Sequence, residues 1–64
     1  MMLNQPDFEE GQRVTVYLNG CAIPGTMTAD AIDLSDAENL YMRPISNPGG
    51  WFQVRWDAVH ALEY

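Results

Sequence analysis

The stretch Arg13-Val14-Thr15-Val16-Tyr17-Leu18-Asn19-Gly20-Cys21 decides the fold class. Its first six residues alternate strictly between apolar and polar, the period of a half-buried strand. Val14, Val16 and Leu18 share one face; Arg13, Thr15 and Tyr17 share the other. Asn19-Gly20 then supplies a strong hairpin signal, because a type I′ turn needs positive φ at both central residues. A two-residue turn places Leu18 opposite Cys21, so the inward set of the second strand is Cys21, Ile23, Met27 and Ala29. Gly25 falls in the same register and suits a bulge or sharp bend. Pro24 points outward, carries no N–H, and marks an edge or that same bend.

Working outward, further short strands follow. Asp30 ends the second strand. Ala31-Ile32-Asp33-Leu34-Ser35 alternates again, with Ile32 and Leu34 inward. Asp36-Ala37-Glu38-Asn39 is a polar turn. Leu40-Tyr41-Met42-Arg43 is a short strand, and Pro44 through Gly50, with two prolines and two glycines, is a loop. Trp51 through Trp56 forms the last long strand, with Phe52, Val54 and Trp56 inward. Asp57-Ala58-Val59-His60 makes one helical turn capped by Asp57, and residues 61–64 close the chain as a short strand. Residues 1–12 are a polar tail; residues 13–64 form one domain. No segment sustains a 3.6-residue apolar period. The reading is all-β: a small, strongly bent barrel of about five short antiparallel strands with one helical turn near the C-terminus. Its expected core is Val14, Val16, Leu18, Cys21, Ile23, Met27, Ile32, Leu34, Leu40, Met42, Phe52, Val54, Trp56, Val59 and Leu62.

Composition narrows the function classes. The 64 residues hold nine acids, three arginines and no lysine, for a formal net charge of −6. Affinity for DNA or RNA comes mainly from Lys and Arg neutralising phosphates, so this balance argues against direct nucleic-acid binding. It argues equally against a basic membrane-surface helix. No apolar run approaches the roughly 20 residues that span a bilayer. Met1 to Glu10 has neither a basic n-region nor an apolar h-region. With one thiol, Cys21, the expected compartment is a reducing cytoplasm.

Three spaced motifs carry a resemblance. Phe8-x-x-Gly11-x-Arg13-Val14, then Gly20-x-Ala22-x-x-Gly25, then Val54-x-x-x-x-Val59-x-Ala61-Leu62-Glu63 resemble the frame of the plasmid-borne type II dihydrofolate reductases, which are SH3-like barrels. The resemblance implies an SH3-like fold. That family lines a tetrameric pore with a Val-Gln-Ile-Tyr segment; the aligned residues here are Val54-Arg55-Trp56-Asp57, and only the valine matches, so the activity does not carry over. Val14-Thr15-Val16-Tyr17-Leu18-Asn19-Gly20 is also similar to the first hairpin of the Sm-like RNA-binding ring proteins. Their N-terminal helix and basic RNA motif are absent from this sequence.

The sequence offers no catalytic set. A nucleophile needs a base within reach and a group to orient that base. Cys21 faces the expected core as an inert thiol, and His60 reads as an ordinary surface residue near Asp57 and Glu63. One Cys and one His cannot complete a four-ligand zinc site in a single chain. Gly49-Gly50 lacks the Lys and the following helix of a phosphate loop. The expectation is no enzyme, no cofactor and no metal, unless several barrels assemble a shared pore around Arg55 and Trp56.

Two surface features remain. Asp30, Asp33, Asp36 and Glu38 fall within nine residues that hold no base, and Asp7, Glu9 and Glu10 form a second group. Tyr17, Tyr41 and Trp51 face outward by strand parity, and exposed aromatics are enriched at interfaces. Arg43 and Arg55 share that outer face and are expected to pair with Asp33. The candidate partner-binding set is therefore Asp30, Asp33, Asp36, Glu38, Tyr41, Tyr17 and Trp51. The expected function is that of a small acidic inhibitor of phage or mobile-element type, which mimics nucleic-acid charge and blocks a basic nucleic-acid-binding protein, as anti-CRISPR and anti-restriction proteins do. The alternatives are an oligomeric barrel binding a small molecule in a shared pore, and a protein-interaction adaptor.

Overall fold

A computed structural model describes residues 7–64; residues 1–6 of the expected tail lie outside the described residues. Five strands, β1 (Gln12–Leu18), β2 (Cys21–Met27), β3 (Asn39–Pro44), β4 (Phe52–Arg55) and β5 (Ala61–Glu63), form an antiparallel sheet in the order β4-β3-β2-β1-β5. A six-residue helix α1 (Ala29–Leu34) joins β2 to β3, and a 3₁₀ turn at Trp56–Ala58 joins β4 to β5. The fold is thus small and all-β, as expected, with the expected helical turn before the last strand; α1 is a second helical element that was not expected. β4 and β5 are the two edges of the sheet, yet Phe52, Val54 and Leu62 all pack on one cluster of Val14, Val16, Met27, Ala31, Leu40, Met42, Trp56 and Val59. Both edges therefore curl over a common core, as strand twist favours in a small sheet.

The β1–β2 ladder pairs residue for residue from Gln12–Met27 to Leu18–Cys21. Val14 and Val16 are fully buried while Arg13 is exposed, so the alternation read from the sequence holds. The turn differs in detail. Gly20 has φ +85°, but Asn19 does not have positive φ, which excludes type I′. Cys21 is exposed rather than buried. β5 covers β1 only over Thr15–Tyr17, so the Leu18–Cys21 pair projects past the last covered residue.

Gly25 is no bulge. It sits opposite Val14 in an unbroken ladder, and a Cβ there would lie 2.5 Å from Met42 Sδ and 2.9 Å from the Arg43 carbonyl. Close approach of β3 is what requires glycine at this position. The β2–β3 ladder is only two pairs long, Gly25–Pro44 and Thr26–Arg43. Pro24 and Pro44, which cannot donate, stand at its end.

Residues 29–34 are helical, not a strand. Thr28 provides the N-cap: its hydroxyl accepts from Ala31 N–H at 3.4 Å and donates to the Asp30 carboxylate, which itself accepts from Ala31 N–H at 3.0 Å. The inward stripe becomes Ala31, Ile32 and Ser35. Leu34 turns out to solvent at 47% exposure, and Ala29 is an exposed first helical residue. The 3₁₀ turn starts one residue earlier than expected, and Asp57 does not cap it; that carboxylate holds Arg55 instead.

Candidate functional site

The expected binding residues fall into two separate places. Asp30 and Asp33 lie on α1, three residues apart and so neighbours on one helical face. Asp36 and Glu38 lie in the turn that leads into β3, and Tyr41 projects from β3. Trp51 lies immediately before β4. Tyr17 is elsewhere: it sits on β1 beside β5, and its hydroxyl donates to Glu63 at 3.3 Å. The structure therefore assembles six of the seven residues around the α1–β3 corner and leaves Tyr17 out.

Arg43 organises this corner. Its Nη2 reaches Asp30 at 2.9 Å, and its Nη1 donates to the carbonyls of Gly50 at 2.9 Å and Gly49 at 3.3 Å. Its guanidinium stacks 3.5 Å from the Trp51 ring centroid, a cation–π contact. Tyr41 meets Trp51 edge to face at 6.1 Å between centroids. Asp30, Arg43, Trp51 and Tyr41 thus form one connected row that ties α1, β3 and the 44–50 loop. Trp51 keeps 41% of its surface exposed. The expected pairing of both arginines with Asp33 is not found: Arg43 takes Asp30, and Arg55 takes Asp57 at 3.0 Å. Asp30, in the first turn of α1, is the carboxylate that Arg43 reaches.

The acids are not equivalent. The Thr28 hydroxyl, and after it Arg43, hold the Asp30 carboxyl below its ordinary value. Asp36 Oδ1 accepts from the backbone N–H of Asn39 at 2.8 Å and of Glu38 at 2.9 Å, and these two bonds lower its pKa. Asp57 is lowered by Arg55, whose own pKa is raised chiefly by Asp57 and slightly by Glu38. Asp30 and Asp36 are therefore engaged in holding the corner together. Among the described residues, Asp33 and Glu38 make no salt bridge.

Behind the acids lies a fixed frame that the sequence reading missed. Ser35 Oγ donates to the Ala31 carbonyl at 2.8 Å and accepts from Tyr41 N–H at 2.9 Å, joining the end of α1 to β3. Trp56 is 3% exposed; its Nε1 donates to the Asp36 carbonyl at 2.8 Å and its backbone N–H to the Glu38 carbonyl at 3.0 Å. Ala37, Glu38, Arg55, Trp56 and Asp57 line a shallow depression beside it. The available signal for the frame was Thr28-x-Asp30, a helix-start pattern with an acid in the first turn.

Among the described residues no group of three or more His, Cys, Asp or Glu side chains is placed to hold a metal ion, and no helix is long and apolar enough to cross a membrane. No family model matches the chain, and comparison with curated proteins and with solved structures gives no match either.

Proposed function

We propose that this chain is a small acidic binding protein that engages a basic, nucleic-acid-binding partner through the α1–β3 corner, in place of nucleic-acid phosphates. In this reading it acts in the cytoplasm as an inhibitor of the kind carried by phages and mobile elements. The observation that carries the reading is the arrangement of Asp30, Asp33, Asp36 and Glu38 on one short helix and its following turn; among the described residues Arg43 is the one base in a salt bridge with any of them. Asp33 and Glu38, which make no salt bridge among the described residues, supply the charge offered to the partner. The Arg43–Trp51–Tyr41 row gives that charge an aromatic border. Complementary potential would steer a basic partner and speed its association.

The test is binding to a heparin-retained fraction of nucleic-acid-binding proteins, measured with the wild-type chain and with Asp33→Asn/Glu38→Gln. The reading expects weaker, slower association of the variant with its fold unchanged. Equal binding by the two would overturn it.

A second reading is favoured by the exposure of Trp51. An exposed indole stacked by Arg43 and edged by Tyr41 suits a protein-interaction adaptor, since aromatic anchors dominate many interfaces. Such binding would depend little on salt and would be abolished by Trp51→Ala, whereas charge mimicry would survive that change in weakened form.

A further inference from the structure

The Asn19-Gly20 turn does more than reverse the chain. We propose that it is a self-modifying site, at which Asn19 converts in the folded protein to a mixture of aspartate and isoaspartate. The chemistry is intramolecular and uses only hydroxide and water. The Gly20 amide loses its proton and its nitrogen attacks Asn19 Cγ. The Cγ–Nδ2 bond then breaks and ammonia leaves, closing a five-membered cyclic imide. Water opens the imide at either carbonyl. Opening at Cγ yields an aspartate; opening at the main-chain carbonyl yields an isoaspartate, whose backbone runs through Cβ.

Several observations place this reaction at Asn19. Asn19 and Gly20 are both exposed. Gly20 has no side chain to hinder attack, and nothing lies within 4 Å of the position its Cβ would take. Its N–H is given to no backbone carbonyl in the turn. The other described asparagines lack these features. Asn39 is half-buried in β3, its side-chain carbonyl accepts from Gln53 at 3.2 Å, and bulky Leu40 follows it. Asn47 precedes Pro48, which has no N–H to attack with.

The consequences are structural and electrostatic. Either product adds one negative charge to the formal −6 of the chain. Isoaspartate also adds a backbone atom to a two-residue turn, which disturbs the Leu18–Cys21 pairing and the register that follows from it. This inference stands apart from the partner-binding reading.

The experiment is incubation of the full folded chain at mildly alkaline and mildly acidic pH, followed by peptide mapping and isoaspartyl methyl-transfer labelling. The expected result is conversion at Asn19 many-fold faster than at Asn39, accelerated by alkali, with a new acidic band on isoelectric focusing. Asn19→Gln, which conserves polarity and turn length, is expected to lose both the label and the band. Conversion of Asn19 no faster than Asn39, or conversion seen only after unfolding in urea, would overturn the proposal.

Discussion

The β1–β2 hairpin and the α1–β3 corner hold themselves together in different ways. The hairpin is a regular ladder of seven residue pairs with alternating burial, held by main-chain hydrogen bonds and the buried Val14, Val16 and Met27. The corner has short ladders, and side chains secure it: Thr28 caps α1, Ser35 and Asp36 bind main-chain groups, Arg43 spans three segments, and Trp56 anchors the turn. A ladder exposes one face of generic polarity. A corner built on side-chain hydrogen bonds must put polar and charged groups in fixed positions at the surface, so it is also the region able to present a specific pattern of charge. The same construction sorts the acids, because those that bind the frame are not free to bind a partner.

The largest expected effect breaks the corner outright. Trp56→Ala removes a fully packed aromatic and the bond to the Asp36 carbonyl, and should cost about 3–5 kcal/mol in urea unfolding. In a domain this small that loss approaches the whole stability. A loss below about 1 kcal/mol would mean that the hairpin, not the corner, carries the fold. Ser35→Ala comes next: it leaves Tyr41 N–H without its acceptor and should cost about 1–3 kcal/mol by the same measurement.

Acid should separate the two regions. Asp30, Asp36 and Asp57 have pKa values lowered from 3.8, so what their bonds add to stability is present above that value and is lost as pH falls through the lowered ones. Hydrogen exchange below about pH 3.8 should therefore speed first at Asn39, whose N–H binds Asp36, while Val16 in the hairpin stays protected. Asp36→Asn keeps an oxygen acceptor and should remove most of this pH dependence. Simultaneous loss of protection in both regions would show that they unfold as one unit.

The same contrast explains what could be read in advance. Val14, Val16, Leu40 and Met42 were legible because strand parity determines them, and the hairpin register because the two-residue turn adds to it. Residues 31–35 were not, since five residues of apolar alternation also fit one and a half turns of helix, and the Thr28 cap decides between the two. Cys21 was misplaced because parity gives direction and not the extent of the sheet above it. Asp30, Asp33, Asp36 and Glu38 were legible as a cluster. Their division into frame and free charge was not, because it depends on Arg43 reaching from β3 to Asp30 and on how the chain turns after Asp36 to bring the Glu38 and Asn39 N–H groups onto its carboxylate.

The most direct test of the central claim is capture by the immobilised chain, from the heparin-retained fraction, as salt rises from about 0.01 M to about 1 M and the screening length shrinks from about 30 Å to about 3 Å. The account predicts a retained basic protein that is lost as salt rises, is displaced by duplex DNA, and binds Asp33→Asn/Glu38→Gln poorly. Retention unchanged by salt, by DNA and by that double substitution would contradict it.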